Sequence, residues 1–420
     1  MRNPASGICR ALLGASLLWL SHVALAWDAD TAITLAMERD EGLRALEQRR
    51  SALSERAVAD GSLPDPEVMV GVEGVPVSDP FDADMMTMYK IGVRQRFPAG
   101  QTRELTRQRT GQEADTLAAE ISARRLDIAR ETRTAWLDWA SAWRSLEIAE
   151  QAAEAFEELE EITKARYRAG TGRQRDVDQA RMELALLERR ILVKRTGVDE
   201  AASRLARWTG GHPDVAPEDS LELLEKPEAL AHLQRRLANH PILLAGDHRV
   251  EAGITETRLA HQAYRPSWMV EAGYAHTRGM NPMTMSRQSD KLFAMVSFSV
   301  PLFTADRQDR RLSAARSDLR AVNHERGLEL QRFKGELSRQ HSLWQSQDQQ
   351  LEWMQSRVLT SAEATVESTL SAYRADRASF DELVRARLAL LDQQLETINI
   401  RQARTAATIE LAWLTAETLP

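Results

Sequence analysis

The chain holds a single cysteine among 420 residues, and it stands at position 9. Cys9 precedes an apolar run from Ala11 to Leu20, and Ala24-Leu25-Ala26 offers a small-residue cleavage site before Trp27. Residues 1–26 are therefore expected to be a secretory signal peptide that takes Cys9 with it. The run is too short for a membrane anchor, and no stop-transfer charges follow. Cys9 is also not placed as a lipid-anchor cysteine at the cleavage site. An exported chain without a thiol has no disulfide and no cysteine metal ligand, so packing or assembly must hold it together. Beyond the signal, no apolar segment is long enough for a transmembrane helix. Positive charge is scarce too: 55 Lys and Arg face 62 Asp and Glu, a formal net charge of −7. Loss of Arg2 and Arg10 with the signal lowers it to −9, which argues against nucleic acid as a partner. The nine histidines show no ligand spacing, with His212, His232 and His240 isolated. No Ser/His/Asp set, zinc motif or phosphate loop appears, so neither an enzyme nor a cofactor is indicated.

Glycine and proline are few as well, 20 and 14, which favours long helices over many short strands. What the chain does have is a duplication. Phe97-Pro98 returns as Val300-Pro301, and Tyr167-Arg168-Ala169 as Tyr373-Arg374-Ala375. Pro66-Glu67-Val68-Met69-Val70 returns as Pro266-Ser267-Trp268-Met269-Val270. The offsets are 203, 206 and 200 residues, in one order. Each copy reads as helix, strand, loop, strand, very long helix, tight turn and return helix. The first copy predicts helix near 30–59, strands near 67–75 and 88–97, and helices near 101–166 and 174–208. The second predicts helix near 240–262, strands near 267–276 and 291–300, and helices near 304–372 and 380–415. The repeats thus span 27–208 and 239–420. Between them, 209–238 is rich in Gly, Pro and acids at its start and reads as a linker with at most short structure.

The long helices carry coiled-coil spacing. Trp136, Trp139, Trp143 and Leu146 step by three, four and three. Val177, Ala180, Leu184, Leu187 and Ile191 do the same on the return helix. Trp344, Leu351 and Val358 step by seven in the second copy. Such stepping keeps an apolar seam against a partner helix. At 1.5 Å per residue, the first long helix spans roughly 100 Å. A coiled-coil rod or adhesin stalk would fit these helices alone.

The strands point elsewhere. Tyr89, Ile91, Val93 and Phe97 alternate with Lys90, Gly92, Arg94 and Arg96. Val68, Val70 and Val72 mark the first strand, Trp268, Val270, Ala272 and Tyr274 the third, and Leu292, Ala294, Val296, Phe298 and Val300 the fourth. About nine to eleven residues with one apolar face is what a tilted strand needs to cross a bilayer. A sheet packed on a soluble core shares the pattern, but no further apolar layer is present to cover that face. Four strands cannot close a barrel, and open edges are not tolerated in lipid. The expected fold is therefore mainly α with a small membrane β part: a long coiled-coil helical barrel plus four strands given to a shared barrel of twelve, from three copies.

On these features the whole mature chain resembles the TolC-type outer-membrane efflux factors. The resemblance is carried by the duplicated plan, by Phe97-Pro98-Ala99-Gly100 and Val300-Pro301-Leu302-Phe303, and by the tips Tyr167–Gly172 and Tyr373–Ser379. Each tip leads into Asp/Glu-Val/Leu and Ala-Arg: Asp176-Val177 with Ala180-Arg181, and Glu382-Leu383 with Ala386-Arg387. The resemblance implies a homotrimer in the outer membrane of a Gram-negative bacterium, with a periplasmic helical tunnel. It also implies a periplasmic adaptor and an inner-membrane pump of the RND type as partners. It places Tyr167, Gly170, Thr171, Tyr373 and Arg377 near the adaptor contact, and Asp176 and Glu382 at the periplasmic gate. The second tip has Asp376 where the first has Gly170, so the two need not engage the adaptor equally. Structural roles compete at the tips: Ser379 with Glu382, and Thr171 with Gln174, are capping-box patterns, and Gly170 suits a helix-ending turn.

Six of the 13 methionines fall in the two strand-connecting loops, as Met85, Met86 and Met88 and as Met280, Met283 and Met285. Thioethers suit Cu(I) or Ag(I); methionine is equally an adaptable apolar filler. The sequence looks more similar to the heavy-metal-efflux branch, the CusC- and CzcC-like proteins, than to general drug ducts. The shared stretches are Leu63-Pro64-Asp65-Pro66, Phe81-Asp82, and the run from Pro301 to Asp309. The readings are an exit duct for heavy-metal cations such as copper or silver, a general drug duct, and a structural coiled-coil surface protein.

Overall fold

Residues 28–77, 86–212, 217, 226–280 and 283–417 are described by the computed structural model, so the expected signal peptide lies outside them. Where one helix was expected near 30–59, two form: α1 (Ala29–Arg39) and α2 (Glu41–Gly61). The break is Asp40, held extended because its carboxylate accepts from the Leu43 N–H (2.5 Å) and pairs with Arg124 (2.5 Å). A side chain that satisfies orphan N–H groups starts a new helix. Next come β1 (Glu67–Glu73), β2 (Met88–Phe97), the 67-residue α3 (Thr102–Arg168) and α4 (Gln174–Thr209). Gly210 ends α4 at φ +76°, a conformation that costs glycine nothing.

The linker holds α5 (Leu230–Arg236) and one 3₁₀ turn (Leu237–Asn239). Leu233 and Leu237 bury against Phe333, Trp344 and Leu411, which docks this segment on the second repeat. That repeat continues with α6 (Pro241–Gln262), β3 (Trp268–Thr277) and β4 (Lys291–Phe298). Its long helix does not start at 304. A turn over 304–307 intervenes, with the Arg307 and Asp309 N–H groups both donating to the Thr304 carbonyl. Its rod, 308–374, is three pieces: α7 (Gln308–Trp353), a six-residue π-helical insert (Met354–Leu359) and α8 (Thr360–Arg374). The return helix is α9 (Phe380–Leu414).

The four strands form one antiparallel sheet in the order β1-β2-β3-β4, so β2 and β3 join the two repeats. Below the sheet, α3 runs between α2 and α6; further on it runs between α4 and α9, and α7 flanks α6 and α9. The expected coiled-coil seams are where the core sits. Trp136, Trp139, Leu146, Val177, Ala180, Leu187, Trp344 and Leu351 are buried. Toward the tips the seams of both repeats merge into one cluster, with Phe156 and Leu159 of α3 against Leu383 and Leu391 of α9.

Candidate functional site

The sheet register sorts the side chains into two faces. Val68 opposes Val93, Val93 opposes Ala272, and Ala272 opposes Ala294; Val70, Ile91, Tyr274 and Leu292 form the next such row. These rows lie open: Val70 is 80% exposed and Leu292 86%. The opposite face is polar and internally paired. Lys90 pairs with Glu73, Arg94 with Glu67 and Glu271, and Arg96 with Glu67. Glu271 is buried there, its charge answered by Arg94. A large exposed apolar face opposite a charge-paired face is the inverse of a soluble sheet and marks contact with lipid. Both outer strands, β1 and β4, lack a partner on one side among the described residues.

At the far end of the helices the two tips are built on one plan with different residues. In the first, the Gly172 and Thr171 N–H groups return to the Arg166 carbonyl (3.0 Å each), and Gly170 takes φ +75°. In the second, the Arg377 N–H donates to the Ala372 carbonyl (2.8 Å), and Asp376 takes φ +59°. An aspartate thus occupies the left-handed position that glycine fills in the first tip. Its carboxylate explains why. Arg166 of α3 pairs with Asp376, donates to the Tyr373 carbonyl (2.8 Å), and lies over the Tyr373 ring at 4.8 Å. The two tips are therefore latched to each other. Two further links tie the return helices together at one height each, Gln179 to Asp381 (3.0 Å) and Arg190 to Asp392 (2.9 Å).

Tyr167, Gly170, Thr171 and Arg377 are exposed at the tips. Tyr373 is not: it is 4% exposed, with its ring against Phe380 at 5.7 Å and Arg166 above. Burial pushes its phenol pKa up. An adaptor cannot reach that ring without moving it, so Tyr373 belongs to the latch. Ser379 and Glu382 do form a capping box: the Glu382 carboxylate accepts from the Ser379 N–H (2.8 Å), and the Ser379 hydroxyl accepts from the Glu382 N–H (3.3 Å). Thr171 and Gln174 do not. The Thr171 hydroxyl donates back to the Arg166 carbonyl (3.2 Å), and Arg173 is the residue before α4, without a side-chain cap. The carboxylates of Asp176 and Glu382 are not equivalent. That of Asp176 is 15% exposed and near Arg175 and Tyr373, whereas that of Glu382 is spent on its own helix start.

At the sheet's other end, Met86, Met280, Met283 and Met285 are all more than half exposed, and Met88 is half-buried. Met85 lies outside the described residues. No group of three or more His, Cys, Asp or Glu side chains suited to a metal occurs among the described residues. Sequence reasoning passed over two residues. Arg166 could have been found because its repeat partner is Ala372 just as Gly170 is matched by Asp376, a paired charge substitution. His240 looked isolated, yet it is fully buried, with its Nδ1 accepting from the Ile242 N–H (3.2 Å) at the start of α6. Phe333 and Trp413 stand 4.6 and 5.1 Å from its ring.

The family profile described as outer membrane efflux protein matches residues 32–211 and 232–417. No curated protein sequence matches. Among solved structures, CusC, described as folding into a transmembrane channel, is similar at a TM-score of 0.78 and 18% identity, covering 94% of this chain and 93% of that one. The outer membrane protein VceC of Vibrio cholerae is similar at 0.74 and 17%, covering 93% and 97%. The open state of the MtrE outer membrane channel of Neisseria gonorrhoeae is similar at 0.75 and 13%, covering 93% and 89%.

Proposed function

The chain belongs to the outer membrane efflux protein family, and from that premise we propose that three copies close one exit duct for heavy-metal cations. It is a channel component of the outer membrane with a periplasmic helical tunnel, and it is not an enzyme. Channels of this kind work as homotrimers with adaptors and inner-membrane pumps. For this chain the observation that carries the trimer reading is the sheet: four strands, one exposed apolar face and two open edges. In lipid each edge N–H and C=O must find a partner. Pairing β4 of one copy with β1 of the next satisfies both edges, and three copies of four strands give an even barrel of twelve. The helical wall supports this, because α4 and the α7–α8 rod are left at its two ends.

In this assembly Tyr167, Gly170, Thr171 and Arg377 form the surface for a periplasmic adaptor, behind which stands an RND-type pump. Asp176 and Glu382 ring the periplasmic mouth, where three copies of a carboxylate favour cations. The rim methionines Met86, Met88, Met280, Met283 and Met285 favour soft metals over a general drug load. Single-channel recording in planar bilayers tests the duct. The expected result is a small conductance that rises when Asp176 and Glu382 are replaced by Ala; no pores under any condition would sink the reading. For the cargo, a deletion strain is expected to lose copper and silver tolerance. Raised drug sensitivity with unchanged metal tolerance would overturn the metal assignment alone.

A further inference from the structure

The apolar face of the sheet is Val, Ile, Leu, Ala, Phe, Tyr and Trp, with Gln95 and His276 among them, and it holds no methionine. All four methionines within the strands lie on the other face. Met88 sits in a row with Glu73 and Thr277, Met69 in a row with Gly92 and Gly273, Met295 in a row with Glu271, and Met269 in a row with Arg96. A methionine used as apolar filler belongs on the lipid side or in a core. Here Met69, Met88 and Met269 are half-buried and Met295 is 52% exposed, beside ion-paired charges. That face offers no core to fill.

We infer that these four thioethers are contact points for a soft monovalent cation, of the Ag(I) or Cu(I) class, spaced along the lumen of the barrel. The inference rests on the duct reading, which turns the polar face inward. Along β3 the rows of Met69, Met295 and Met269 follow at steps of two residues, roughly 7 Å apart, and Met88, which also belongs to the rim group, lies about 13 Å beyond Met69. Threefold repetition sets three sulfurs at each level. The intervening row carries Lys90 and Lys291, so cations cross it without a thioether. A neutral sulfur donor binds by softness rather than charge and needs no proton loss. This suits a wall where Glu67, Glu73 and Glu271 are already answered by Lys90, Arg94 and Arg96. The row of Met69 also bears the Phe293 ring, which lies across Gly92 and Gly273 where any Cβ would collide with it. The ring thus takes the space that side chains at positions 92 and 273 would fill.

The test is silver block of potassium current through single channels in nitrate salts. Micromolar Ag(I) is expected to interrupt the wild-type current. In a Met69→Leu, Met269→Leu, Met295→Leu channel, where Leu keeps the volume and removes the sulfur, the blocking concentration is expected to rise at least about tenfold. The potassium conductance itself should stay unchanged. If the triple variant does not assemble, Met295→Leu alone, at the most exposed of the three sites, is expected to show a smaller rise. Silver block identical in wild type and variants overturns the ladder while the duct stands. Absence of pores in the wild type and in the Asp176→Ala, Glu382→Ala channel alike overturns the duct and the ladder with it; where only that double variant opens, the silver block is read in its background.

Discussion

The two repeats start the same helix on different caps. In the first, Asp40 begins α2; in the second, His240 begins α6, and the two positions are 200 residues apart like the prolines of the strands. Both side chains accept a backbone N–H, so both solve the same orphan-donor problem. Their surroundings differ. The Asp40 carboxylate meets the Arg124 guanidinium, which holds its pKa below the usual value. His240 meets no charged partner but the aromatic rings of Phe333 and Trp413, and burial, partly offset by a backbone hydrogen bond with Trp413, pushes its pKa down to about 4. The tips differ in the same manner, with Gly170 free and Asp376 latched to Arg166. Duplication kept the length and the turning points, and divergence changed what each turning point is fastened to.

The largest effect expected from this contrast is acid loss of stability in the second repeat. His240 has its pKa lowered on folding, so the folded chain prefers the neutral ring. Its contribution is full above about 6.5 and drains as pH falls toward 4, amounting to about 3 kcal/mol. Asp40, also lowered, keeps its contribution until the pH falls below its ordinary value near 3.8. Thermal melting across pH 7 to 4 should therefore show a slope that His240→Asn flattens and Asp40→Asn leaves alone. An unchanged slope in the His240 variant would remove histidine from the explanation. Next in size is Asp40→Ala at neutral pH, which takes away a cap and strands Arg124; a cost of about 2 kcal/mol is expected in denaturant unfolding.

At the tips the comparison can be broken more gently. Arg166→Ala removes the pair with Asp376, the bond to the Tyr373 carbonyl and the cover on its ring, for about 1–2 kcal/mol. Hydrogen exchange confined to the two tips would read it. Gly170→Ala is expected to cost about 1 kcal/mol, because φ +75° is strained for any Cβ even in open space. Asp376→Gly relieves that strain while releasing Arg166, so stability should shift by less than about 0.5 kcal/mol. Its channel conductance should nonetheless rise, which separates the latch from mere strain. Conductance equal to wild type in both Arg166→Ala and Asp376→Gly would leave the latch without a role in gating.

Much of this was legible in the sequence, because the signals were periodic and repeated. Alternation fixed the strand faces to within two residues at each end, and the 3–4 stepping gave the seams of α3 and α4. The capping box at Ser379 was legible because its partners are neighbours in the chain. The equivalent reading at Thr171 failed because the hydroxyl found the Arg166 carbonyl first, a choice set by the path of the turn. The break at Asp40 depends on Arg124, and the burial of Tyr373 on Arg166 and Phe380. None of these contacts leaves a trace in local pattern. The π-helical insert at 354–359 has no physical account in its own sequence.

The claim on which the rest depends is that one chain supplies a third of a closed barrel. Native mass spectrometry of the protein extracted from membranes weighs that claim directly. The account requires a complex of three copies that persists while detergent is stripped away. A single chain with a folded sheet would contradict it, since its two free edges and apolar face would then have no partner.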